Sequence, residues 1–170
     1  MSEVQKGHLD HLEELFERYQ KKLFNFFMRL TYDQAASEDL IQNVFVRIMK
    51  YRSSYNPDLK FKTWIYQLSR NQFHDYYRKE VEKRDDFSDV AAMPDHDLQT
   101  DDGFDQDQRD QLEVAMQKLS VEKRELLVMS KMQGMHYEDI AEIKEITIAN
   151  VKVQVHRALK ELRTFYFQMN

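Results

Sequence analysis

Apolar side chains recur every three or four residues along much of the chain, the period of an α-helix with one buried side. The first such stripe comprises Leu9, Leu12, Leu15, Phe16, Tyr19, Leu23, Phe26, Phe27 and Leu30. A second helix is predicted to begin at Ser37, because a serine cap followed by Glu38 and Asp39 suits the first amides and the positive end of the helix dipole. Its stripe comprises Leu40, Ile41, Val44, Phe45, Ile48 and Met49.

The segment "SSYNPD" interrupts this period, because Pro57 disfavours helical geometry in the residue before it. A third helix is predicted over residues 61–79. Further on, a helix is predicted over residues 110–119, and Ser120 is expected to cap another that runs to Gln133 and ends at Gly134. Because no stretch alternates convincingly with a period of two, a sheet is not expected.

The stretch "YEDIAEIKEITIANVKVQVHRALKEL" holds two helical runs separated by a bend at "KEIT". Thr147 is expected to cap the second helix, while small Ala141 lets the two helices approach closely and Ile146 fills the space between them. The inner face of the second helix is assigned to Ile148, Val151, Val155, Ala158, Leu159 and Leu162. This pattern predicts a helix-turn-helix.

Polar side chains mark the outer face of that second helix, near the end that enters the major groove in helix-turn-helix proteins. Asn and Gln can pair with adenine, and Lys and Arg can reach guanine or phosphate. The candidate duplex-binding residues are Thr147, Asn150, Lys152, Gln154 and Arg157. The alternative from the pattern alone is a solvated helix face on an ordinary bundle.

Charge divides the chain into three parts. Residues 82–110 carry eleven acidic and three basic side chains, a charge of −8 against a total of −5, which leaves +3 for the rest. This acidic segment has no sustained apolar period, so it is predicted to be a flexible linker. The predicted fold is therefore all-α, with two small helical domains at residues 1–81 and 111–170 joined by the linker 82–110.

The third predicted helix, "FKTWIYQLSRNQFHDYYRK", interleaves basic and aromatic residues, a combination suited to binding single-stranded nucleic acid. Trp64 and Phe73 are expected in the core instead, because a module of this size has little else to bury. The candidate single-strand contacts are Lys62, Arg70, Asn71, Tyr77, Arg78 and Lys79.

The sequence gives little support for a catalytic or metal-binding function. The chain has no Cys, and the His8–His11 pair has no third ligand placed to complete a metal site. No glycine-rich phosphate loop or nucleophile elbow is present. We expect no cofactor and no enzyme activity. Because no apolar run approaches the roughly 20 residues of a membrane span and the first residues lack a signal-peptide pattern, a cytoplasmic protein is expected.

Three segments, "SEDLIQNVFVRIMK", "FKTWIYQLSRNQFHDYYRK" and "LSVEKRELLVMSKMQGMHYEDIAEIKEITIANVKVQVHRALKEL", resemble successive signature regions of bacterial sigma factors of the extracytoplasmic-function (ECF) type. The resemblance implies a protein that docks on core RNA polymerase, recognises promoter DNA and helps to melt it. An anti-sigma factor is a further candidate partner. The residues implied to bind the clamp helices of the largest polymerase subunit are Asp39, Leu40, Gln42, Asn43 and Phe45.

The same resemblance implies a role for each module. The helix at residues 61–79, with the loop before it, would bind and open the minus-10 element, and the helix-turn-helix would bind the minus-35 duplex. The linker would thread through polymerase toward the RNA exit path. The chain departs from the family at three positions: Glu145 replaces a frequent turn glycine, Gln154 replaces a frequent basic residue, and His136 replaces a frequent Ser or Thr cap. The alternative hypothesis is a stand-alone helix-turn-helix regulator.

Overall fold

The computed structural model describes residues 1–8, 10–84 and 105–168. The chain divides into two units, Met1–Asp95 and His96–Asn170. Within the described residues, regular structure is helical throughout and includes no strand. The all-α prediction is therefore confirmed.

The first unit is a bundle in which the middle long helix packs against the other two. Its elements are α1 (Ser2–Gln5), α2 (Asp10–Thr31), α3 (Gln34–Tyr51), a 3₁₀ turn (Arg52–Ser54) and α4 (Phe61–Arg84). Its core is apolar and aromatic and includes Leu23, Phe26, Phe27, Val44, Ile48, Ile65, Tyr66 and Phe73. The apolar stripes that predicted α2 and α3 supply much of this core, although Phe16 and Met49 of these stripes are 37% and 39% exposed.

The helix α3 begins three residues before the predicted cap. Asp33 is the N-cap, and its carboxylate accepts a hydrogen bond from the Ala36 amide at 3.0 Å. Ser37 is fully buried and donates its hydroxyl to the Asp33 carbonyl at 2.7 Å. The prediction that Ser37 caps the helix was wrong, because the earlier Asp33 takes the cap and Ser37 faces the bundle.

Aromatic packing in α4 also differs from expectation. Phe73 is buried as predicted, but Trp64 is only partly buried and Tyr66 fills the core instead, 1% exposed. The Tyr66 ring packs edge-on against Phe26 with centroids 5.4 Å apart. Burial raises the pKa of Tyr66 well above its ordinary value, so its hydroxyl stays protonated at neutral pH.

The second unit is built around its last helix, which packs against the three helices before it. Its elements are α5 (Gln106–Gln117), α6 (Val121–Leu127), a π-helical turn (Val128–Met132), α7 (Tyr137–Lys144) and α8 (Ile148–Phe167). Asp105 begins α5 with a reciprocal capping box to Gln108. Gly134 follows the π turn with a φ of 57°, a backbone conformation that glycine adopts without strain.

Helices occupy both ends of the segment predicted to be a linker. The helix α4 continues to Arg84, and α5 begins at Gln106. The interior of the predicted linker, residues 85–104, lies outside the described residues. The flexible-linker prediction for that interior, and the domain boundaries drawn from it, stay predictions.

Candidate nucleic-acid interface

The turn between α7 and α8 is built around Glu145, whose φ of 55° and ψ of 41° are left-handed. The Ile146 amide donates to the Ala141 carbonyl at 3.0 Å, which closes the end of α7. Thr147 then caps α8, its hydroxyl accepting from the Asn150 amide at 3.2 Å. The turn therefore forms without a glycine, as the sequence required, and the predicted Thr147 cap is confirmed. His136 stands at the α7 N-cap but makes no side-chain cap hydrogen bond.

A buried ion pair holds the end of α7 against α6. The Lys144 ammonium donates to the Glu125 carboxylate at 2.6 Å, and their side chains are 8% and 0% exposed. Lys144 immediately precedes the left-handed Glu145, so the pair anchors the helix just before the turn. This pair was not predicted from the sequence. The available signal was an acidic residue at the start of the apolar run "ELLVM".

The polar side chains predicted on α8 lie on its solvent side. Thr147, Asn150, Lys152 and Arg157 are exposed, and Gln154 is half-buried. The Gln154 amide donates to the Asn150 side-chain oxygen at 2.9 Å. The two amides therefore form a bonded pair along one edge of the exposed face.

The candidate single-strand contacts on α4 do not form one cluster. Asn71 and Arg78 are both exposed and lie seven residues apart, so they share one face of the helix. Tyr77 and Lys79 are exposed beside them. Lys62, partly buried, precedes Asn71 by about two and a half turns, so it lies on the opposite side of α4.

The sixth candidate, Arg70, is partly buried and immediately precedes Asn71. It lies seven residues before Tyr77, so these two side chains share a face next to that of Asn71. The structure thus brings Arg70, Asn71, Tyr77 and Arg78 together on adjoining faces of one helix.

An acidic side chain ties α4 to α3 at this surface. Asp75 pairs with Arg47 of α3 and with Arg78 of its own helix, each at 3.0 Å. The three groups border a cleft of about 460 Å³ between α3 and α4 that Asp39 and Asn43 also line. Candidates for polymerase binding and for DNA binding therefore meet around one charged cleft.

The α3 candidates divide into an exposed and a buried set. Asp39, Gln42 and Asn43 are exposed, whereas Leu40 and Phe45 are 2% and 7% exposed. Leu40 and Phe45 pack mainly in the core of the first unit, although Leu40 also lines the cleft, and their assignment as polymerase contacts stays a prediction. They support the helix from inside.

Two apolar residues extend the exposed side of α3, and neither was predicted to lie at the surface. Val46 is 56% exposed and Met49 is 39% exposed. Val46 lies one turn after Gln42 and Asn43, so it continues their stripe toward the carboxyl end of α3. This spacing was the signal available in the sequence.

The loop before α4 is folded onto the bundle. Tyr55 is 6% exposed, its ring lies 5.1 Å from that of Trp64, and its hydroxyl donates to the Leu59 carbonyl at 2.8 Å. From α1, the Gln5 amide donates to the Ser53 and Tyr55 carbonyls at 3.2 and 2.9 Å. The amino-terminal turn therefore holds the loop in place.

The described part of the chain contains neither a candidate metal site nor a helix able to span a membrane. No group of three or more His, Asp or Glu residues there is placed to hold a metal ion. His8 and His11 instead lie near carboxylates of their own segments, at 4.0 Å from Glu3 and 3.5 Å from Glu14. None of the helices within those residues has the length and apolar character needed to cross a membrane.

Comparison with known proteins gives matches to both units. The family model for sigma-70 region 2 matches residues 15–82, and that for sigma-70 region 4 matches residues 109–162. The ECF RNA polymerase sigma factor SigM of Bacillus subtilis is 29% identical over 163 residues, covering 91% of this chain and 94% of SigM. The RNA polymerase sigma factor YlaC of the same organism is 26% identical over 164 residues, covering 92% of each chain.

Solved structures share the fold. Sigma factor RpoE from Bartonella quintana, in complex with the anti-sigma factor NepR, superposes with a TM-score of 0.74 at 23% identity, covering 90% of this chain and 94% of that one. CnrH, in complex with the cytosolic domain of CnrY, superposes with the same TM-score at 16% identity, covering 99% and 96%.

Proposed function

The chain belongs to the sigma-70 family, as a sigma factor of the ECF type, and we propose how its residues divide the work of promoter recognition. As a sigma factor it binds core RNA polymerase and promoter DNA and directs transcription initiation. The first unit carries polymerase docking and minus-10 melting in this proposal, and the second unit carries minus-35 binding.

The helix α8 is proposed to recognise the minus-35 element. The observation that carries this assignment is the Thr147-capped start of α8, which presents Asn150, Lys152 and Arg157 to solvent directly after a tight turn. Exposed amide and basic groups near the start of such a helix suit base edges and phosphates in a major groove. The Asn150–Gln154 bond leaves amide donor and acceptor groups for a base on the same edge.

The helix α4 and the loop before it are proposed to recognise the minus-10 element. Asn71 is exposed on the face shared with Arg78, so its amide can pair with an unstacked base while the guanidinium holds phosphate. Tyr77, 40% exposed, offers a ring on which a base can stack.

The exposed stripe of α3 is the proposed polymerase-docking face. It combines the polar Asp39, Gln42 and Asn43 with the apolar Val46, 56% exposed. An apolar centre beside charged groups is the usual composition of a protein-protein contact. Leu40 and Phe45 would support this face from the core.

A stand-alone helix-turn-helix regulator would need only the second unit. The sigma-70 region 2 match over residues 15–82 favours the sigma factor over that alternative. In the proposed role the chain has no catalytic activity and needs no cofactor, because polymerase performs the chemistry, and it acts in the cytoplasm, where promoter DNA is. An anti-sigma factor is a proposed further partner, by analogy with RpoE and NepR.

The test is in vitro transcription from a genomic fragment library by core polymerase with and without the full chain. Asn71→Ala is expected to retain core binding and minus-35 protection but to lose most activity on closed promoters, because base capture is missing. A template with a pre-melted minus-10 bubble should restore it. Gln20→Ala, which truncates an exposed amide on α2, is the matched control. A lowered melting temperature for Asn71→Ala without bubble rescue would instead make Asn71 a structural residue.

A further inference from the structure

An apolar residue lies on the outward face of α8, opposite the buried seam. Val151, Val155 and Ala158 form the buried seam, at 0%, 1% and 0% exposed. Val153 lies about 200° around the helix axis from Val151 and is 47% exposed. The polar residues Lys152 and Gln154 therefore flank the outward face, and Val153 occupies its centre.

The neighbours of Val153 along the helix extend this outward row. Ala149 lies one turn before it and Arg157 one turn after it, and both are exposed. A single exposed valine is ordinary on a protein surface. Here it is the central side chain of a row that begins with another small apolar residue and ends with a cation.

We propose that Val153, with Ala149 beside it, recognises thymine by packing against its C5-methyl group in the minus-35 duplex. The inference rests on the proposed role of α8 and adds a base preference to it. Thymine alone among the four bases presents a methyl group in the major groove, and apolar side chains are its ordinary partners. The amides and cations on either side would then set register and contact neighbouring bases or phosphates.

The size of the effect follows from the group removed. Burying one methyl group corresponds to about a four-fold change in affinity. Replacing the contacted thymine by deoxyuridine, which differs only in that methyl, should weaken wild-type binding by about this factor. Because Val153 is exposed, shortening it should leave the fold unchanged.

The experiment uses holoenzyme assembled from core polymerase and the full chain, on duplexes of a promoter recovered by the library transcription. Each minus-35 thymine is replaced in turn by deoxyuridine, and affinities are measured for the wild type and Val153→Ala. Ile148→Ala is the matched control, because Ile148 is also an exposed apolar residue of α8, at 39%, but lies toward the buried seam. Wild type and Ile148→Ala should discriminate thymine from deoxyuridine at one or more positions, and Val153→Ala should not.

The possible negative results distinguish the methyl contact of Val153 from the minus-35 role of α8. A minus-35 footprint with no thymine, or one where deoxyuridine changes nothing for the wild type, overturns the methyl contact and leaves the role of α8 intact. So does a Val153→Ala protein that binds and keeps the wild-type discrimination. Absence of any minus-35 protection by the wild-type holoenzyme overturns the proposed function and this inference with it.

Discussion

Breaking the buried ion pair of the second unit should destabilise that unit far more than breaking a partly exposed one. Lys144→Met removes the cation that lies 2.6 Å from the Glu125 carboxylate, and neither side chain has more than 8% exposure. Removing one partner of a buried pair costs about 3–5 kcal/mol in the free energy of unfolding. Replacing both by apolar residues, as in Lys144→Met with Glu125→Leu, should recover most of that loss.

The matched control is Lys123→Met, in the same unit. Lys123 pairs with Glu161, but their side chains are 37% and 34% exposed. Pairs in contact with water contribute only about 0–1 kcal/mol. The expected order of stability is therefore wild type, then Lys123→Met close behind, then the double variant, with Lys144→Met lowest.

The assay can follow each unit separately. Trp64 is the only tryptophan of the chain and lies in the first unit, so its fluorescence reports unfolding there. Far-UV circular dichroism reports helix loss in both units. In Lys144→Met the fluorescence transition should stay in place while part of the dichroism transition moves down by on the order of 20 °C.

Two results would refute this reasoning. The first is a Lys144→Met protein no less stable than Lys123→Met. The second is a double variant as unstable as Lys144→Met, because the cost would then not arise from the loss of the Lys144 ammonium beside the buried Glu125 carboxylate.

Three further perturbations test the surfaces and the turn. Asp39→Lys should weaken core-polymerase binding by about ten-fold in a pull-down titration, with Glu17→Lys, an exposed acid on α2, as control; equal effects would show that the docking face is misassigned. Glu145→Gly should raise the free energy of unfolding by about 0.5–1 kcal/mol by relieving the left-handed φ of 55°, whereas Glu142→Gly inside α7 should lower it by about 1 kcal/mol; the same sign for both would contradict the strain argument. Asp75→Asn should release two guanidiniums and strengthen holoenzyme binding to minus-10 DNA at low salt, and an unchanged affinity would mean that Asp75 does not compete with phosphate.

Several features that depend on local interactions were predicted from the sequence, although Ser120 stands at the α6 N-cap without the expected side-chain hydrogen bond. The apolar stripes of the long helices, the Thr147 cap and the glycine-free turn at Glu145 all depend on residues within a few positions of each other. The same reasoning misplaced the start of α3, because Ser37 and Asp33 both resemble caps and tertiary packing buried the serine.

Interactions between residues distant in the sequence could not be predicted from it. The apolar run after Glu125 could indicate a buried carboxylate, but no local pattern identifies Lys144, 19 positions away, as its partner. The family resemblance transferred docking residues by position, so it included Leu40 and Phe45, which the bundle buries. Val153 was given neither an inner-face nor a DNA-contact role, because the contact candidates were chosen among polar side chains; its exposure of 47% shows that it belongs to the outward face.

The anchored loop before α4 has a thermodynamic consequence for promoter opening. Hydrogen bonds from Gln5 and Tyr55 order this segment in the unbound protein. Fixing the backbone of a flexible loop costs about 1–2 kcal/mol per residue in conformational entropy. In this protein the loop is already ordered when the first unit folds. More of the free energy of base capture is therefore available to separate the DNA strands. A substitution as distant as Gln5 would transfer the ordering cost to the melting step and slow open-complex formation, although Gln5 touches no DNA in the proposed role.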